Sequence, residues 1–371
     1  MRHTLIALIS SCTVLTQLLF AHPSFAETRK SYRLEIVAED LENPWSIAFL
    51  PNGEYLLSML HGELRRLSAD GKLGEPLRNT PATYYAGQGG YFDVTLDPEF
   101  TTNQTIYLSF AYGERKANAT RVIKAKLTQD SIENVSTIFT QQPTKDTSAH
   151  YGGRLQFIND GTLLITTGDG FNYREAAQDT FNQLGKVIRI NKDGTVPNNN
   201  PFADGIKGDA KVYSYGHRNP QGLSYDATSN TIYMHEHGPK GGDEVNIVEP
   251  ANNYGWPATS YGVNYSGALI TPFKQAEGVT DPIHYWVPSI APSGLAYYYG
   301  DAFPEWEGNL FVGALVDQEI RQLTLENGKV IKEQTMFNEI EERIRDVRVN
   351  AKGHLYILTD GKSGKLIRVV P

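Results

Sequence analysis

The 371-residue chain has a single cysteine, Cys12, so it builds neither a disulfide framework nor a thiolate zinc module. No G-x-G-x-x-G run opens a helical pattern, and no G-x-x-x-x-G-K-[ST] run occurs. The usual dinucleotide and P-loop phosphate cradles are therefore missing. There is no G-x-S-x-G elbow and no H-E-x-x-H, which leaves an α/β-hydrolase triad and a zincin site without support. Lys and Arg form no extended cluster, and 34 basic against 42 acidic side chains give a net charge of −8. Counterion release needs clustered cations, so nucleic acid and anionic lipid are poor partners. Helical periodicity is almost absent after the first residues.

What the chain does have is 40% hydrophobic residues, 34 Gly, 19 Pro and 21 Tyr. That composition suits an all-β protein with many turns and one large core. Residues 1–26 read as a signal peptide. Arg2 and His3 precede an apolar stretch from Leu5 to Phe20, and Ser24-Phe25-Ala26 offers the small residues of a cleavage site. Polar residues interrupt the stretch, so it does not read as a membrane anchor. Processing at Cys12, in a lipobox-like Ile9-Ser10-Ser11-Cys12, is the alternative. Cleavage after Ala26 leaves 33 basic and 42 acidic residues, a net of −9, and no thiol. The expected location is periplasmic, with no membrane insertion. Residues 27–371 are then a single domain.

A degenerate strand-turn-strand unit recurs along that domain. It begins at Asn43, Gly89, Gly152, Asn219, Ala291 and Ile344, and its anchors Trp45, Gly90, Gly153, Gly222, Gly294 and Arg345 lie 45 to 72 residues apart. Repeats of this size with several strands each predict a six-bladed β-propeller of four-stranded antiparallel blades. A β-sandwich pair or a β-helix is the alternative. Lys365–Val370 pairing with Arg33–Val37 would close the ring. The longest stretches between anchors lie mid-chain and are expected to hold the site.

Five segments of the chain could carry chemistry. Glu236–Pro257 combines Glu236, Asp243, Glu244 and Glu249 with carbonyl-exposing Gly, Pro and Asn, an all-oxygen set of the kind hard cations take. Taken alone it reads slightly better as a solvated acidic loop. His150, just before a glycine pair, is a general-base candidate, although a lone His is more often structural. Tyr215–Leu223 carries Arg218 and Asn219, and Ala86–Val94 presents Gln88 between glycines. Arg343 and Arg345 share one strand face, which suits a planar carboxylate-bearing anion or, equally, two solvated edge charges.

Taken together, GQGG at Gly87, HYGGRL at His150, YGHRNPQG at Tyr215, EHGPKGGDE at Glu236, NNYGWP at Asn252 and RIRDV at Arg343 resemble the soluble pyrroloquinoline quinone (PQQ)-dependent sugar dehydrogenases, the glucose/sorbosone dehydrogenase-like propellers, in their periplasmic aldose dehydrogenase branch. The resemblance implies PQQ over the channel, an aldose substrate oxidised at C1 to a lactone, an external electron acceptor, and a monomer or homodimer. It implies His150 as general base and Gln88, Arg218, Asn219, Arg343 and Arg345 as PQQ contacts. It also implies the carbonyls of Gly238 and Pro239 as ligands of a PQQ-bound Ca²⁺, and Glu244 and Tyr254 as ligands of a further calcium. Tyr285 or Trp286 falls near the family's aromatic contact. Three positions depart from the glucose dehydrogenase pattern: Ala149 before the histidine, Gly170 after Thr167-Gly168-Asp169, and Val316 where a Lys contacts PQQ. Two other readings compete: a calcium-dependent propeller hydrolase of the lactonase kind, and a non-catalytic binding propeller.

Overall fold

A computed structural model describes residues 32–371. The predicted signal peptide and Cys12 lie outside the described residues. The chain forms six four-stranded antiparallel sheets. Blade 1 is β2 (Pro44–Phe49), β3 (Tyr55–Met59), β4 (Glu63–Leu67) and β5 (Leu73–Pro76). Blade 2 is β6 (Tyr91–Leu96), β7 (Thr105–Glu114), β8 (Ala117–Leu127) and β9 (Ile132–Thr140). Blade 3 is β10 (Leu155–Phe157), β11 (Leu163–Thr167), β12 (Lys186–Ile190) and β13 (Val212–Tyr215). Blade 4 is β14 (Pro220–Asp226), β15 (Thr231–Glu236), β16 (Asp243–Ile247) and β17 (His284–Trp286). Blade 5 is β18 (Pro292–Tyr297), β19 (Leu310–Ala314), β20 (Ile320–Glu326) and β21 (Lys329–Met336). Blade 6 joins β22 (Ile344–Val349), β23 (Leu355–Thr359) and β24 (Gly364–Val370) to β1 (Arg33–Leu41).

The six units of the sequence each open on the first strand of a blade, and those first strands touch one another in succession round a closed circle. The expected closure occurs: Arg33 pairs with Val370 and Ile36 with Ile367 across β1 and β24. Closing the last blade with the first strand leaves the ring no seam to unzip.

The core is not the one large core the composition suggested. The buried side chains fall into six main clusters, each between neighbouring blades. A strand's side chains alternate between its two faces, and here both faces are covered. Along β23, Leu355 and Ile357 therefore pack against blade 5, while Tyr356 and Leu358 pack against blade 1. This explains why inner strands such as LLITT in β11 are buried at every position, whereas the outermost β21 is mostly exposed.

An ion-pair network ties the inner strands together. Arg154 is 2% exposed and pairs with Asp346 of blade 6 at 2.9 Å and Asp93 of blade 2 at 3.8 Å. Arg348 binds the same two carboxylates at 2.9 and 2.7 Å, and Arg154 lies over the Trp45 ring of blade 1. Loss of one member would strand a buried charge, a change that costs roughly 3–5 kcal/mol. Among the described residues no helix is long and apolar enough to cross a membrane.

Candidate active site

The segment entering β10 presents His150. The residue has left-handed backbone (φ 51°), and its carbonyl packs so closely on Gly168 that a Cβ there would lie 2.2 Å from its oxygen. The glycine of Thr167-Gly168-Asp169 is thus a requirement of the histidine's approach. His150 is 4% exposed. Its N–H donates to Gln88 Oε1 at 2.7 Å, and its ring Nδ1 is 2.6 Å from Asp169 Oδ1. Asp169 is itself fully enclosed. It accepts from the Phe171 N–H at 2.8 Å and from Trp256 Nε1 at 2.7 Å.

Burial pushes the His150 pKa below its ordinary value; the Asp169 hydrogen bond opposes this, and Arg218 and Lys145 add to it. Burial alone would raise the Asp169 carboxyl, but its bonds with His150 and the nearby Arg218 outweigh it and hold the carboxyl low. At neutral pH the pair is therefore a neutral imidazole on an ionised carboxylate. A carboxylate only accepts, so Nδ1 carries the proton and Nε2 keeps its lone pair. That is the form a general base needs.

Phe171 stands edge-on to the His150 ring, 5.1 Å between centroids, and opens onto a cleft of about 300 Å³. Arg218, Pro239, Trp256, Asn264 and Tyr265 also line it. Arg218 lies beside the rings of Trp256 and Tyr265 and donates to the carbonyls of His237 at 3.0 Å and Gly238 at 2.6 Å. Asn219 Oδ1 accepts the Gly152 N–H at 3.1 Å, leaving its amide N–H groups for a ligand. Arg343 and Arg345 converge, as the strand spacing predicts, on one carboxylate: Asp360 accepts from Arg343 Nε at 3.0 Å and from Arg345 Nη2 at 2.9 Å. His237, held well below its ordinary pKa by burial, also feels His235, Arg218, His150 and Arg345. The Arg218 and Arg345 guanidiniums and the His150 imidazole are thus all within electrostatic reach of His237.

Beneath the Gly238 turn lies a small second cavity, about 10 Å³, the size of one solvent sphere. Glu236 and Glu244 face each other there in register across β15 and β16. Burial raises the Glu244 carboxyl well above the carboxylate range, and Glu236 pushes it further. Asn246 Nδ2 lies 3.5 Å from an oxygen of each carboxylate, and Glu236 also accepts from the Arg218 N–H. Two crowded carboxylates fit a hard divalent cation. Among the described residues no group of three or more His, Cys, Asp or Glu side chains gathers, so carbonyls must complete the shell. The Tyr254 hydroxyl is already committed to Ile247 O and the Glu249 N–H, which leaves the Tyr254 carbonyl for that role.

The sequence profile of the Glucose / Sorbosone dehydrogenase family matches residues 41–368. The chain belongs to that family. It is 40% identical to the aldose sugar dehydrogenase YliI of Escherichia coli, with 91% of this chain and 92% of that one covered. The crystal structure of the soluble aldose sugar dehydrogenase from Escherichia coli in its apo form superposes with a TM-score of 0.88 at 38% identity, over 92% of this chain and all of that one. The PQQ-bound aldose sugar dehydrogenase of Streptomyces coelicolor superposes with a TM-score of 0.76 at 26% identity, over 91% and 98%. The chain is accordingly a sugar oxidoreductase.

The structure joins His150 to Gln88, sets Arg218 on the Gly238 carbonyl, and brings Arg343 and Arg345 together on Asp360. Trp286 is buried between blades 4 and 5 and donates to Glu333 at 2.8 Å, and Tyr285 stacks on Tyr261. The aromatic residues lining the cleft are Phe171, Trp256 and Tyr265. Asp243, grouped in the sequence with the cation-binding acids, braces the loop by accepting from Gly238, Ser289, Ile290 and Ala291. Val316 is exposed beside Leu315, whose carbonyl accepts from Arg343. Residue type and spacing do not mark Asp360 or Lys145, whereas Asp169 carries a signal in its place in the Thr167-Gly168-Asp169 run.

Proposed function

We propose that the protein is a periplasmic quinoprotein that oxidises aldoses at C1 to lactones, using PQQ and Ca²⁺. The observation that carries this reading is the neutral, enclosed His150, hydrogen-bonded to ionised Asp169 beside an arginine-lined cleft. Bound PQQ supplies the two-electron acceptor for the hydride leaving C1. Arg218, Arg343 and Arg345 would hold its carboxylates, and the amides of Gln88 and Asn219 would hold its edge. The carbonyls of Gly238 and Pro239 would bind the calcium of the cofactor site. Glu244 and the Tyr254 carbonyl, joined by Glu236, would bind a further one. His150 Nε2 takes the anomeric hydroxyl proton, and Asp169 stabilises the resulting imidazolium without itself being protonated. Residues 1–26 would direct export and be removed, and an external carrier would accept the electrons.

Purified protein reconstituted with PQQ and Ca²⁺ is expected to reduce an artificial dye with aldoses, and His150→Ala is expected to lose most of that rate while still binding PQQ. Tight PQQ binding separates this reading from a calcium-dependent lactonase. Near wild-type turnover in the His150→Ala holoprotein would refute the base assignment.

A further inference from the structure

The family motifs leave the buried Lys145 without a role. Lys145 lies in the connection between β9 and β10 and is 1% exposed. Its backbone bridges to Asn118 of β8. Its ammonium donates to Asn118 Oδ1 at 2.9 Å and to the Thr147 carbonyl at 2.7 Å, and it sits 3.4 Å over the centre of the Tyr151 ring. Among the described residues no carboxylate forms an ion pair with it. A buried ammonium without a contacting anion is costly, and its two hydrogen bonds and the Tyr151 ring are what offset that cost here.

The surroundings of this ammonium are the two segments that make the histidine–carboxylate pair. Thr147, whose carbonyl it holds, donates its hydroxyl to the Gly170 carbonyl at 2.6 Å. Tyr151, whose ring it covers, donates to the same Asn118 oxygen at 2.7 Å. The Lys145 stem packs on Gly170, where a Cβ would come within 2.7 Å of Lys145 Cδ. Residues 147–151 carry His150, and 169–170 carry its carboxylate partner. The lysine therefore lies under both.

We infer that Lys145 is a positioning residue for proton abstraction: it joins the two segments that carry His150 and Asp169, and its charge opposes protonation of the imidazole. It touches neither substrate nor cofactor. The groups facing His150 are Asp169, Arg218, Lys145 and His237, and those facing Lys145 are Asp169 and Asp146. Burial brings the Lys145 pKa down to about 7, with both aspartates opposing. Lys145 is thus an ammonium over the acid range in which His150 would gain a proton, and it loses its charge at alkaline pH. The inference rests on His150 being the base.

The test is the pH profile of the reconstituted holoenzyme. In Lys145→Met the acid limb of kcat/KM should move to higher pH, lowering kcat/KM about three- to tenfold near pH 5.5. The two profiles should converge above pH 8, where the wild-type lysine is neutral. Lys145→Arg should keep the wild-type limb. Independently of turnover, the His150 ring resonances of the PQQ-free protein, assigned with His150→Asn, should titrate at higher pH in Lys145→Met. A uniform loss at all pH values with an unmoved limb would make Lys145 a purely structural brace and overturn the inference. So would an unmoved His150 titration. Absence of sugar oxidation in the wild type would sink the proposed function and leave the resonance titration to decide this inference.

Discussion

Replacing Asp169 by Asn changes one atom in a carboxylate that accepts three hydrogen bonds, from His150, Phe171 and Trp256. The amide cannot accept all three. With its oxygen toward His150 and Phe171, its NH₂ meets the Trp256 N–H, two donors facing each other. Flipped, it meets the Phe171 N–H and forces the proton of His150 onto Nε2, the nitrogen that must act as base. In both arrangements the anion that would stabilise the imidazolium is gone. One lost charge-assisted bond is worth about 1.5–3 kcal/mol, and the unpaired imidazolium adds to it. A barrier increase of about 3–5 kcal/mol corresponds to roughly 10²–10⁴ in kcat. The assay is dye-linked sugar oxidation by the holoprotein, with PQQ occupancy checked by absorbance. The His150 pKa should fall further below its ordinary value, because the interaction opposing its burial is removed while Arg218 and Lys145 remain. A variant that binds PQQ and keeps kcat within about fivefold of wild type would refute the reasoning, since that difference is under 1 kcal/mol.

Two further perturbations address separate parts of the site. Glu244→Gln relieves the repulsion from Glu236 and removes a cation ligand, so Ca²⁺ should raise the melting temperature of the wild type against EDTA but leave the variant unmoved; equal calcium stabilisation of both would argue against a cation at this pair. Gly170→Ala places a Cβ against Lys145 in left-handed backbone (φ 72°), and a loss of about 1–3 kcal/mol in denaturant unfolding is expected; a neutral result would mean that the Lys145 stem moves aside freely.

Much of the architecture was legible because it is repeated. Each unit writes apolar strand, polar turn, apolar strand, and six such units that cannot bury their own faces must stack. The location of the core was less legible. Leu355, Tyr356, Ile357 and Leu358 read as one apolar run, and nothing in the run says that alternate members serve different interfaces. At the site, His150, Gln88, Arg218, Asn219, Arg343 and Arg345 stood out by type and motif. Their partners did not. Asp360 is a turn residue after β23, Lys145 an unremarkable loop lysine, and Trp256, although inside NNYGWP, carries no mark of what it would touch. Each takes its role from what the blade packing sets beside it: Trp256 meets Asp169 across 87 residues of chain.

The sequence by itself determined the number of blades, the closing strand pair and the residue types available for chemistry. These depend on strand period, turn residues and repeat spacing, all of which are local. The protonation states were decided only by the tertiary structure. Neutral His150, ionised Asp169 and the charge of Lys145 depend on burial and on partners that several blades bring together. Desolvation and charge–charge interaction act through space, and closing the ring is what sets those distances.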